Sequence, residues 1–124
     1  MTTRRTMIAA GAGAVLATAA VLTAATPANA TSRSGCVYPR VCFYLTQNDY
    51  YSGSPTASYQ DVTSGWQTLG SRSRGSAWIV NTRNDDVAHL HFTNGYTDCL
   101  RPNNNYYTAG LVVDKIRISS ASTC

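Results

Sequence analysis

Four cysteines constrain this chain more than any other feature. Cys36, Cys42, Cys99 and Cys124 all lie beyond an apolar N-terminal run. An even number of cysteines in a short exported chain reads as a disulfide framework. The pairing stays open on the count alone. Cys36–Cys42 is the natural local bridge, which leaves Cys99–Cys124 to staple the last residue onto the fold. No C-x2-C pair occurs, so a zinc site is not expected.

Export itself is read from residues 1–30. Arg4 and Arg5 start the chain, residues 7–25 are Ala-rich and apolar, and Ala28-Asn29-Ala30 is a small-x-small cleavage signal. Together they read as a secretory signal peptide over 1–30. Thr3-Arg4-Arg5-Thr6 also fits a twin-arginine signal. The expected location is secreted, with no membrane attachment once the signal is cut. Residues 31–35 read as a flexible polar leader, and 36–124 as a single domain.

Cleavage changes the charge. Arg4 and Arg5 leave, so ten basic residues become eight against six acids, a net charge of +2. The remaining basic residues form no run or stripe, so no nucleic-acid partner is expected. Every acid is Asp and the only lysine is Lys115. A helical bundle draws on Glu and Lys, so helices are disfavoured. Ser, Thr, Asn, Gly and eight Tyr point to turns and pleated surfaces.

The body reads as short strands between turns: 41–46, 57–62, 76–82, 87–92, a short segment at 99–102, and 111–119. Asn48-Asp49 and 52–55 read as turns, 64–70 and 71–75 as loops, and Asn103-Asn104-Asn105 as a loop. A repeat is visible. Phe43-Tyr44, Tyr51-x-Gly53, Leu69-Gly70 and the Trp78 strand are echoed by Leu90-His91-Phe92, Tyr96-x-Asp98, Ala109-Gly110 and the Ile116 strand. Two such units suit two Greek-key motifs packed as a β-sandwich.

These residues resemble a known family. Cys36-x5-Cys42-Phe43-Tyr44 with Tyr51-Ser52-Gly53 is similar to the opening of the secreted actinomycete metalloproteinase inhibitors. Gly65-Trp66-x-x-Leu69-Gly70, residues 76–82 and 87–92, Cys99-Leu100-Arg101-Pro102 and Asp114-Lys115-Ile116 resemble its later segments. The resemblance covers 36 to about 119. It implies a disulfide-stapled, βγ-crystallin-like sandwich and a monomer that inhibits an extracellular peptidase, above all a metallopeptidase. It also implies a substrate-like loop. Cys99-Leu100 matches the family's cysteine followed by an apolar residue, with Asp98 and Arg101 flanking the bond. Thermolysin-like peptidases favour an apolar residue after the scissile bond, which Leu100 supplies. One departure stands out. The family's second bridge closes a small loop, whereas here the next cysteine is Cys124.

Other constellations are weighed beside this one. Crystallin-like motifs often bind calcium, but residues 72–77 carry two arginines where acids belong, and 113–118 lack the hydroxyls. Asn84-Asp85-Asp86 reads as a solvated turn. Arg72-Ser73-Arg74 is a second candidate loop, suited to a trypsin-like peptidase. His89-x-His91 puts two rings on one strand face, where Asp85, Asp86 or Asp98 would have to join them to hold a metal. The expectation is a surface pair, with no metal and no cofactor. No acid–base or nucleophile set is apparent, so the chain is read as a non-enzyme. Tyr50-Tyr51, Tyr59, Tyr96 and Tyr106-Tyr107 support an alternative, a cell-wall or carbohydrate-binding module.

Overall fold

The computed structural model describes residues 32–124, so the expected signal segment and Thr31 lie outside the described residues. The strands are β1 (Ser32–Arg33), β2 (Cys36–Val37), β3 (Val41–Tyr44), β4 (Ala57–Tyr59), β5 (Gln67–Thr68), β6 (Trp78–Asn81), β7 (Val87–Phe92), β8 (Thr97–Leu100), β9 (Asn104–Tyr107) and β10 (Val113–Ser119). One short helix, α1 (Gln47–Tyr51), follows β3. The chain is all-β, and every pairing between these strands is antiparallel.

Two four-stranded sheets carry the architecture, ordered β4-β3-β6-β9 and β5-β10-β7-β8. The two halves of the chain exchange a strand. β3, β4 and β6 stay together, as do β7, β8 and β10, while β5 edges the second sheet and β9 edges the first. The halves are therefore related as the internal repeat anticipates.

Alternation decides what each strand buries. Val41, Phe43, Ile79, Ala88, Leu90, Phe92, Leu100, Val113, Ile116 and Ile118 form the main core, with Leu69 from the β5 segment. A second cluster of Cys36, Cys42, Tyr44 and Val80 lies on the other face of β3 and β6, with Tyr50 and Trp78 against it. β3 is consequently buried on both faces, which is why all four of its residues are buried. The cover is supplied by the β1–β2 hairpin, the Cys36–Cys42 disulfide and α1. The second disulfide joins Cys99 to Cys124.

Several expectations are corrected. The first strand stops at Tyr44, and the turn expected at Asn48-Asp49 is a helix. Thr46 caps it: its hydroxyl accepts from Asp49 N and its own N–H donates to Asp49 Oδ2, both at 3.1 Å. Asn104-Asn105, read as loop, belongs to β9, because pairing with β6 overrides the weak strand preference of Asn. Part of the supposed leader is also paired, Ser32 with Val37 and Arg33 with Cys36. Gly35 closes that hairpin at φ +78°. A side chain there would collide with the Gly53 carbonyl, so the position needs glycine.

Candidate functional site

The segment expected to offer a reactive bond is a strand. Asp98, Cys99 and Leu100 belong to β8, paired with β7 through Leu90↔Asp98, His89↔Cys99 and Ala88↔Leu100. Leu100 is 2% exposed and sits in the main core. Its carbonyl and that of Arg101 accept from Asn81 Nδ2 at 3.3 and 3.2 Å, and Asn81 is fully buried. β8 is the edge strand of its sheet, but a peptidase pocket could receive the Leu100 side chain only if β8 turned it out of the core. The substrate-like loop at Asp98–Arg101 is therefore corrected: the alternation that places Ala88 and Leu90 inward also turns Leu100 inward.

Asp98 has a structural task. Its Oδ2 accepts from Tyr106 OH at 2.8 Å and Tyr96 OH at 3.3 Å, and its Oδ1 from Cys99 N at 2.8 Å. Burial and the adjacent carboxylate push the Tyr106 phenol well above the ordinary tyrosine range.

The Arg72-Ser73-Arg74 loop is a tight turn, not an extended strand. Ser73 is fully buried, its hydroxyl 2.8 Å from Tyr59 OH, and Arg72 Nε donates to Thr56 O at 2.9 Å. Arg74 N–H donates to Gly70 O at 2.8 Å. A trypsin-like cleft requires extended backbone, which these bonds preclude.

His89 and His91 share the outer face of β7, as alternation predicts. They are packed rather than bare. His91 Nδ1 lies 2.6 Å from Asp114 Oδ1, and Trp66 meets the His91 ring edge-on at 5.6 Å. The Arg117 guanidinium sits 5.5 Å over Trp66. Burial, and next the Arg117 charge, push His89 below the usual imidazole range. Asp86 pairs with Arg83 at 2.6 Å and Asp98 serves the tyrosines, so neither joins the histidines. Among the described residues no group of three or more His, Cys, Asp or Glu is placed to hold a metal ion.

A cavity of about 230 Å³ opens beside β4, lined by residues that include Gly35, Arg40, Cys42, Thr56 and Ser58. The Thr56 hydroxyl is committed to the Arg72 and Phe43 carbonyls, at 2.7 and 3.1 Å. Cys42 is in a disulfide. Cys42 therefore offers no free thiol there, and the Thr56 hydroxyl is already engaged.

Two surfaces take their form from the structure, one missed in the sequence and one only partly legible there. The first is the loop before β10. Leu111 and Val112 were assigned to the last strand, but β10 begins at Val113. They are 37% and 41% exposed. The loop is fixed on both sides: Leu111 N–H donates to Thr108 O, Thr93 N–H to Val112 O, and Gly75 N–H to Val113 O, all at 2.9–3.0 Å. Their apolar character was legible, but a run of apolar residues leading into a strand looks like more strand.

The second is a group of aromatic rings. Tyr50 stacks on Trp78 at 4.2 Å, Trp78 on Tyr107 at 5.0 Å, and Tyr51 meets Tyr50 edge-on at 5.3 Å. Tyr59, by contrast, packs edge-on against Phe43 beside the core. The sequence placed these tyrosines at turns and strand ends but could not say which would meet, since that depends on β9 crossing to the first sheet.

No protein-family model matches the chain, and neither a curated protein nor a solved structure matches it. Function therefore rests on the surfaces just described. Among the described residues no helix is long and apolar enough to cross a membrane.

Proposed function

We propose that this chain is a secreted, non-catalytic, monomeric inhibitor of an extracellular peptidase, above all a metallopeptidase, built on a crystallin-like pair of Greek keys. The observation that carries the reading is the strand exchange. With the β1–β2 hairpin set aside, each half has four strands, keeps the first, second and fourth, and lends its third, β5 or β9, to the other sheet. That arrangement is what two interlocked Greek keys require, and it supports the resemblance running from Cys36 to about Ser119. The two disulfides fit an oxidising compartment.

The contact moves from the buried Leu100 to the loop before β10. An inhibitor must present apolar side chains on backbone that loses little freedom when docked. Leu111 and Val112 are exposed, apolar and held by hydrogen bonds on both sides. They suit the apolar pocket that metallopeptidases of the thermolysin class offer beyond the scissile bond.

Titration of the oxidised protein against a thermolysin-like peptidase tests this. Stoichiometric loss of activity is expected, abolished by Leu111→Asp with an unchanged melting temperature. A peptidase that keeps full activity beside the folded protein overturns the reading. Inhibition that survives Leu111→Asp overturns only the contact.

A further inference from the structure

Trp78 of β6 is sandwiched between Tyr50 of α1, tilted by 7°, and Tyr107 of β9, tilted by 30°. Its indole N–H is buried without a hydrogen-bond partner, so stacking and not its polar end holds it there. The inner rings, Tyr50 and Trp78, are half-buried. The outer rings, Tyr51 and Tyr107, are 71% and 49% exposed. Two aromatic surfaces are thus offered to solvent, Tyr107 from the stack itself and Tyr51 from its edge contact with Tyr50.

A polar rim adjoins the rings. Asn105 Nδ2 donates to Tyr50 OH at 2.7 Å, and Arg33 Nη1 donates to Asn105 Oδ1 at 2.9 Å. The acid of the same helix, Asp49, has its carboxylate turned to the Thr46 N–H. The rim charge left for a ligand is the Arg33 guanidinium.

Exposed rings favour an occupant with apolar faces. An apolar protein surface would strip water from the Arg33 guanidinium, a charge whose hydrogen bond here is to the Asn105 amide, which is costly. A pyranose fits better: its C–H face covers an aromatic ring, while its hydroxyls and acidic groups bond the rim. We propose that Tyr51 and Tyr107, with Asn105 and Arg33, form a saccharide-binding site for a carboxylate-bearing polysaccharide. Sugar rings lie on the tyrosine faces and a carboxylate pairs with Arg33. This goes beyond inhibition and uses a different surface, so either can fail alone.

Retention on insoluble peptidoglycan and on a polygalacturonate gel, with cellulose as the uncharged comparison, tests it. Both acidic polymers should retain the protein and cellulose far less. Tyr51→Ala with Tyr107→Ala should weaken retention about tenfold. Arg33→Gln should weaken it several-fold and flatten its salt dependence. Both variants should still unfold in one cooperative transition, the tyrosine pair at a lower temperature because Trp78 loses a stacking partner, and should keep the peptidase titration curve. Wild-type protein that no acidic polymer retains overturns the proposal, as does retention indifferent to both variants. Equal retention on cellulose, unaffected by Arg33→Gln, overturns the carboxylate assignment.

Discussion

Leu100 decides where a partner can be met. With its side chain in the main core, Leu100→Asp puts a carboxylate among apolar residues. Such a change costs about 4 kcal/mol or more, a large part of the stability of a domain this size. Urea unfolding should show that loss or no folded state at all. A folded, nearly native variant would place Leu100 at the surface after all. Tyr44 is the other informative residue. It is fully buried, its hydroxyl donates to Ser34 O at 2.7 Å, and burial, with the Tyr50 charge, pushes its phenol up to about 12. An unfolded tyrosine ionises near pH ~10. Tyr44 therefore supports the fold fully below pH ~10, and that support is lost as pH rises through about 12. Tyr44→Phe should cost about 1 kcal/mol at neutral pH through the lost hydrogen bond. It should also soften the alkaline fall in melting temperature, and an identical alkaline profile would assign the fall to other groups.

At the scale of elements, the long, strongly alternating segments were legible. Residues 87–92 read as a strand and form β7, with Ala88, Leu90 and Phe92 inward. The Trp78 strand and the body of β10 were equally clear. Elements set by tertiary pairing were not. β9 is made of Asn104, Asn105 and two tyrosines, and it exists because β6 offers an edge. α1 was hidden for a different reason: one short turn of helix shows no period, and its only signal was Thr46 three residues before Asp49. Thr46→Ala should cost about 1 kcal/mol in urea unfolding. A cost near zero would mean that Tyr50 packing alone holds α1. The candidate site followed the same division. The family resemblance implied a cysteine–leucine reactive bond, but the side chain's direction came from its register with Ala88.

For the whole molecule, the strand exchange makes the halves interdependent, since each sheet is completed by a strand from the other half. Unfolding by urea and by heat should therefore be a single transition. The disulfides act on this unit differently. Cys36–Cys42 spans 6 residues and Cys99–Cys124 spans 25. In the chain-entropy account the longer loop gives the larger stabilisation, roughly 3 kcal/mol. Replacing Cys99 and Cys124 by Ser should lower stability by about that amount while the transition stays single. Separate transitions for the two halves would contradict the interlocked build.

In the proposed inhibition, the β-sandwich presents Leu111 and Val112 to a peptidase. The decisive measurement is stoichiometric titration of the oxidised protein against a thermolysin-like and a trypsin-like enzyme. Only the metallopeptidase should lose activity, at one inhibitor per enzyme, and Leu111→Asp should restore that activity. Full activity of both enzymes beside intact, folded protein would contradict the proposed inhibition.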